Sequence, residues 1–191
     1  MISLIIPAYF ANKELEEMTQ RCIASLGDFD GEIILQVDED GSGYSVTANK
    51  GLERATGDIL ILGNNDLVFE DGWLEKLLKV LETHDIATCW TSDQDNIVVE
   101  DVIEENAKFG SLFAMKRSVY ETIGGFDEQF KGYFTDTDYR RRVLDEGLTI
   151  GKTHNLVVEH LAKATYKVTD PNDDEFLRAQ RLYEIKYGFS E

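Results

Sequence analysis

The 191-residue sequence predicts a single α/β domain with a mostly parallel central sheet and helices on both faces. Three observations lead there. Short apolar runs recur at residues 2–6, 32–37 and 58–62, and helical patterns separate them. The runs are apolar at nearly every position instead of alternating, as strands buried on both faces require. Each run also ends in polar, turn-forming residues, which is how strands finish at the carboxyl edge of an open sheet.

Taken in order, the first strand, residues 2–6, is closed by Pro7. Asn12 is placed to cap a helix whose start carries Glu14, Glu16 and Glu17, favoured there by the helix dipole, with Leu15, Met18, Cys22 and Leu26 on one face. The second strand, EIILQV at 32–37, runs into Asp38, Glu39, Asp40 and Gly41. Residues 45–56 read as a helix with Ala48, Leu52 and Ala55 inward and Gly57 as its stop. The third strand, 58–62, ends in Gly63, Asn64, Asn65 and Asp66. Residues 72–83 carry the clearest apolar stripe: Trp73, Leu74, Leu77, Leu78 and Leu81.

The second half predicts strands at 86–90, 97–99, 112–115 and 156–160, and helices at 118–123 and 136–146. Gly124, Gly125, Phe126 and Asp127 form a turn between the two helices. A terminal helix at 173–187 has Phe176, Leu177, Leu182 and Ile185 as its inner residues. With Pro171 marking where an appendage begins, the chain divides into a main domain, 1–165, and a helical extension, 166–191, packed on it.

The 37 acidic against 19 basic residues, a formal charge of −18, argue against a nucleic-acid surface and against contact with anionic lipid. Cys22 and Cys89, the only cysteines, fall inside a helical and a strand pattern, so both read as core and a reducing compartment suits them. The N-terminus has no basic leader, and no apolar run approaches the ~18 residues of a membrane span. The expectation is a soluble cytoplasmic protein.

Chemistry is concentrated where strands end. Pro7, Ala8 and Tyr9, then Asp38 to Gly41, then Asn64 to Asp66, together describe one polar crevice lined with carboxylates. A metal or a nucleotide-sugar edge suits such a crevice. Each group has a plainer reading: Asn64 to Asp66 as a turn, Asp38 as a cap, His160 as a structural histidine, Asp136 and Asp138 as acids at a helix start. Arg140, Arg141 and Arg142 are consecutive and so point in different directions, which favours a solvated face over a phosphate clamp.

Seven pieces, in order, carry a resemblance: SLIIPAY at 3–9, VDEDGS at 37–42, ANKGLERATGDILILGNND at 48–66, DGWLEKLL at 71–78, GGFDEQF at 124–130, TDTDYRRR at 135–142 and VVEH at 157–160. Over residues 2–161 the chain resembles the inverting glycosyltransferases of the family 2 type, which have the GT-A nucleotide-sugar-binding fold. The resemblance implies that Pro7, Ala8, Tyr9 and Asp38 hold the base and ribose of the donor. It places Asn49, Asn64, Asn65, Gly125 and Asp127 in donor binding as well, with Asp127 equally suited to the turn itself. Asn64-Asn65-Asp66 matches the family's D-x-D motif with Asn in the first acidic place. This implies that Asp66, completed by His160, binds Mn²⁺ or Mg²⁺ bridging the nucleotide diphosphate. Asp136 falls where the family places its catalytic base, with Thr135 where a Glu is common.

Only six residues separate Ser42 from Asn49, where the family inserts a helix and a strand, so the fold is expected to be trimmed by one edge strand. The stretch beyond His160 is too short for a separate acceptor domain, leaving a glycan or other hydroxyl acceptor to an open site, a partner protein or a homo-oligomer. The leading expectation is a metal-dependent inverting hexosyl transferase using a nucleotide-diphosphate sugar. The alternative is a catalytically silent relative that binds a nucleotide sugar or glycan. A nucleotidyltransferase ranks last, because PAYFANK at 7–13 has no glycine for a phosphate loop.

Overall fold

A computed structural model describes residues 1–161 and 173–188. Strands β1 (Ile2–Ala8), β2 (Glu32–Val37) and β3 (Ile59–Gly63) lie parallel, with β1 in the middle, and helices α1 (Lys13–Ala24) and α2 (Tyr44–Arg54) make the crossovers. Beside β3 the reversed strand β7 (Leu112–Lys116) is inserted, followed by β5 (Ile86–Thr91) and β8 (Ile150–His160), which restore the original direction. Two short strands, β4 (Leu67–Val68) and β6 (Ile103–Glu105), pair antiparallel with β8. The sheet order β2-β1-β3-β7-β5-β8-β4 leaves β2 at an edge, in keeping with a trimmed fold.

Why the central strands lack alternation is visible in the core. Leu4 and Ile6 of β1, Ile61 of β3 and Leu112 and Ala114 of β7 pack on Cys22 of α1 and on Trp73 and Leu77 of α3 (Trp73–Leu81). Their neighbours Ile5, Leu60, Leu62, Phe113 and Met115 point the other way, against Ala48 and Leu52 of α2, Val119 of α4 (Arg117–Ile123) and Tyr139 and Val143 of α5 (Thr135–Asp145). Both faces are dry, so both sets must be apolar. Gly51 permits the close seat of α2, since a Cβ there would lie 2.4 Å from Ile5 Cγ2. Asn12 caps α1 as expected, its Oδ1 accepting from the Leu15 amide at 3.0 Å. Both cysteines are buried free thiols, pushed up to about 12 by burial.

Three expectations are corrected in the second half. Residues 97–99 are not a strand: Val98 and Val99 are exposed, and the short ladder forms later, at β6. The final strand starts six residues before its expected beginning, at Ile150. Its first half, IGKTHN, is too polar to read as buried strand, yet Lys152 and Thr153 are buried, with the Lys152 ammonium 3.6 Å above the Trp90 ring. The terminal helix α6 (Asp174–Tyr187) turns a different face inward. Leu177 and Ile185 are exposed, Ala179 is buried, and the contacts are made by Phe176, Tyr183 and Tyr187. Aromatic side chains at Phe130, Tyr133 and Phe134 select an aromatic stripe in place of the aliphatic one. The expected boundary at 165 and Pro171 lie outside the described residues.

Candidate active site

The carboxyl ends of β1, β2 and β3 open into a cavity of about 1110 Å³ whose other walls come from the segments before α5 and α6. Pro7, Ala8, Tyr9, Asp38, Asn64, Asn65, Asp66, Asp136 and His160 all line it. Residues spread over more than 150 positions thus converge on one space because five of the sheet's strands run the same way and present their carboxyl ends together.

Asn64, Asn65 and Asp66 form the turn from β3 into β4. The Asn64 amide donates to the Ser111 carbonyl at 2.8 Å, and the buried Asn65 side chain donates to Thr19 Oγ1 at 2.8 Å. Pairing of β4 with β8 sets Leu67 opposite His160, and the Leu161 amide donates to the Asp66 carbonyl at 3.0 Å. That register carries His160 Nε2 to 3.1 Å from Asp66 Oδ1, with both side chains more than nine-tenths buried. On the other side of the ring, Nδ1 lies 2.9 Å from Asp93 Oδ1 and 3.2 Å from Ser111 Oγ. Burial pulls the imidazole toward its neutral form, but Asp66 and Asp93 outweigh it, so its pKa is raised. Asp93, itself partly buried, is held below the usual carboxylate range by His160 and Thr91.

This pair fits a divalent cation. Asp66 Oδ1 is buried without a hydrogen-bond partner, although His160 Nε2 lies 3.1 Å from it. Asp66 and His160 supply an oxygen and a nitrogen ligand, and no group of three or more acidic, histidine or cysteine side chains forms a cage among the described residues. An ion held by two protein groups takes its remaining ligands from water and phosphate, the usual arrangement for Mg²⁺ with a nucleotide.

Asp136 sits in the first turn of α5. Phe134, at φ 62°, turns the chain into the helix, and the Thr135 hydroxyl bonds the Gly132 carbonyl, so Thr135 is a buried structural residue. Burial raises the Asp136 pKa, opposed by the Thr137 amide and hydroxyl, its own backbone and the Lys108 charge. A carboxyl that holds its proton more firmly is a better base.

Asp38 accepts from the Ser42 amide and hydroxyl at 3.0 and 3.2 Å and from the Gly43 amide at 2.9 Å, which fixes the loop into α2 while its buried carboxyl still faces the cavity. Three expected donor residues do not reach the cavity wall. Asn49 clasps the Phe126 backbone, accepting at 2.8 Å and donating at 3.0 Å. A Cβ on Gly125 would come within 2.3 Å of that same Asn49 amide, so glycine is there for close packing. Asp127 accepts from Lys186 at 2.7 Å and from the Gln129 amide at 3.0 Å, which hold its carboxyl low against partial burial.

None of the three arginines lines the cavity. Arg140 donates to the Asn106 and Ala107 carbonyls, Arg141 pairs with Asp145, and Arg142 bonds Asp138 and the Ile123 and Gly125 carbonyls. Asp138 is fully buried and also accepts from Lys186 and Tyr187, at 2.6 and 2.8 Å, which joins α5 to α6. Two contributors were missed by the sequence reading. Asp93 follows β5 and could have been found by the same strand-end rule that exposed Asp38 and Asp66. Phe176, expected only as an inner residue of the terminal helix, packs on Tyr133 and Phe134 and also lines the cavity.

A mostly parallel α/β sheet of the GT-A type is the class that this topology defines. Solved structures agree in fold: TarS of S. aureus, residues 1–349, superposes with a TM-score of 0.65 at 13% identity, covering 97% of this chain and 64% of that one. A second TarS structure superposes with the same TM-score at 12% identity, covering all of this chain and 40% of that one. The sequence profile described as "Glycosyl transferase family 2" matches residues 19–142, and the chain belongs to that family. Among curated proteins it is similar to a glucosyl-dolichyl phosphate glucuronosyltransferase of Haloferax volcanii, 24% identical over 59% of this chain and 43% of the relative. It is also similar to an uncharacterized glycosyltransferase, YwdF, of Bacillus subtilis, 28% identical over 78% of this chain and 48% of the relative. The chain therefore spans about half the length of these relatives. No helix among the described residues is long and apolar enough to cross a membrane.

Proposed function

We propose that the protein transfers a sugar from a nucleotide-diphosphate donor to an acceptor hydroxyl with inversion, and that it depends on a divalent cation. The observation that carries this is a single cavity holding both the Asp66–His160 pair and a carboxyl, Asp136, whose pKa burial has raised. Asp136 removes the proton from the acceptor hydroxyl as that oxygen bonds to the anomeric carbon. The bond from that carbon to the diphosphate breaks at the same time, and the nucleotide diphosphate leaves with the electron pair. Asp66 and His160 would hold Mn²⁺ or Mg²⁺, which when bound offsets the charge of the diphosphate.

Charge supports the cation. The cavity wall carries Asp38, Asp66, Asp93, Asp136, Asp173 and Glu175 against Lys131 and His160. A polyanionic donor meets repulsion there unless a metal enters with it. Pro7, Ala8, Tyr9, Asp38, Asn64 and Asn65 are left to the nucleotide and ribose.

Calorimetric titration with UDP and GDP, with Mn²⁺ or with chelator, tests the reading. Metal-dependent binding of one nucleotide, lost in Asp66→Ala, is the expected result. Binding of neither nucleotide under either condition overturns it. Binding without turnover on any donor would instead favour a silent sugar-binding relative, to which the Asn at position 64 gives some support.

A further inference from the structure

Helix α1 and its C-cap carry small polar groups at a spacing of three, Thr19, Cys22 and Ser25, which brings them into line along one face. Each meets the segment that leads from β3 through β4. The Asn65 side-chain amide donates to Thr19 Oγ1 at 2.8 Å, the Cys22 sulfur lies 3.6 Å from the Asn64 carbonyl oxygen, and the Phe69 amide donates to Ser25 Oγ at 3.0 Å. Thr19 is fully buried and Asn65 is 7% exposed, so this is a polar seam within the core, where such groups persist only when paired.

The pairing is directional. The Thr19 hydroxyl has one proton, which goes to the Leu15 carbonyl at 2.9 Å. Its oxygen is left to accept, and that turns the Asn65 amide nitrogen toward the helix. Strand β8 holds the residues between: the Leu161 amide donates to the Asp66 carbonyl at 3.0 Å, and Leu67 pairs with His160. Asp66 is thus clamped by α1 from its preceding neighbours and by β8 from its own backbone, and its Oδ1 is buried without a hydrogen-bond partner.

We propose that Thr19 is a positioning residue for the candidate metal site, fixing through Asn65 the place at which Asp66 presents Oδ1 to a divalent cation. This rests on the metal-dependent reading above and deepens it by naming what holds the ligand in place. Groups that orient a ligand without touching the ion change metal affinity by ~10–100-fold when removed. Thr19→Val removes the accepting oxygen and leaves the Asn65 amide buried and unpaired, whereas Thr19→Ser keeps the hydroxyl.

The test is Mn²⁺ affinity of the full chain by electron paramagnetic resonance, with saturating UDP or GDP, whichever binds, and with Tm as the check on folding. Thr19→Val should weaken Mn²⁺ binding about tenfold, and Thr19→Ser should stay within about threefold of the unaltered protein. Ser3→Ala controls for lost stability alone. Ser3 is fully buried at the amino end of β1, accepts from the Gly57 amide at 2.8 Å and donates to Glu32 at 2.6 Å, so its loss should lower Tm and leave Mn²⁺ affinity unchanged. A second measurement needs no variant: the Asn65 side-chain amide should exchange its protons at least about tenfold more slowly than that of the exposed Asn96, read by NMR without metal. Unaltered Mn²⁺ affinity in a folded Thr19→Val overturns the positioning role alone, as does an equal loss in Ser3→Ala or an Asn65 amide that exchanges as fast as Asn96. If the unaltered protein binds no Mn²⁺ with either nucleotide, the metal-dependent reading falls and takes the positioning role with it.

Discussion

If Asp136 is the base, as proposed, it sets stability against function at a single residue. Its folded-state pKa is raised by burial, so the folded protein holds this proton more tightly than the unfolded chain does. The sign follows: where the carboxyl is ionised it costs stability, and the cost disappears as the pH falls below the ordinary value of 3.8. Asp136→Asn is therefore expected to raise Tm by ~2–4 °C at neutral pH, read by calorimetry, for about 1 kcal/mol recovered. Turnover should fall by ~10²–10⁴ while nucleotide binding survives. The His160 pKa is raised as well, by neighbouring carboxylates acting against its own burial. Its pKa lies above 6.5 because Asp66 and Asp93 flank it, so below that pKa a proton on Nε2 competes with a metal ion. Mn²⁺ affinity in the presence of nucleotide is expected to weaken as pH falls through this range. With Asp93 accepting from Nδ1, Nε2 would be left for the proposed ion, so Asp93→Asn should cost ~10–100-fold in Mn²⁺ affinity at neutral pH and move the titration to lower pH. A pH profile of Mn²⁺ binding that is flat from 5 to 8 would remove His160 from the metal site.

Among the elements, α6 is tied to α5 and the glycine turn by Lys186 as well as by Tyr187 and its aromatic contacts. Lys186 bridges Asp127 of the glycine turn and the fully buried Asp138 of α5, at 2.7 and 2.6 Å. Although its own burial opposes this, the two carboxylates raise the Lys186 pKa, so its contribution is present at and below neutral pH and is lost only as pH rises past its ordinary 10.5. Lys186→Met leaves Asp138 with Arg142 and Tyr187 only, and about 2 kcal/mol of stability should be lost, ~4–8 °C in Tm. A Tm unmoved by that substitution would mean that the aromatic contacts alone seat the helix. This attachment was hidden in the sequence, because Lys186 and Asp127 are 59 positions apart and an exposed-looking lysine carries no sign of its partner. Asn49 misled for the same reason, since its bonds to Phe126 span 77 positions. What could be read was set by local physics: β1, β3 and α3 are uniformly or periodically apolar because the core demands it. β8 was half missed because its buried first half uses Lys152, Thr153 and Asn155, and β4 because two residues carry no period. Asp66 and Asp38 were legible for a different reason, as carboxylates ending apolar strands where a core has no use for them.

At the scale of the whole molecule, the formal charge of −18 acts on every approaching ligand. A nucleoside diphosphate carries the same sign, so its encounter with the cavity is opposed at long range and opposed again by the carboxylates on the wall. Added salt shortens the reach of that field from ~30 Å at 0.01 M to ~8 Å at 0.15 M. In chelator, the association rate of the nucleotide is therefore expected to rise with ionic strength, the reverse of a basic nucleotide-binding site. With Mn²⁺ the ligand arrives with two of its charges offset, and the salt dependence should flatten or change sign. Stopped-flow association of a fluorescent UDP or GDP analogue over 0.01–0.3 M salt separates the cases. If the slopes with and without Mn²⁺ coincide, the metal does not travel with the donor, and the acidity of the chain serves solubility instead of selecting a metal-loaded donor from the free nucleotide.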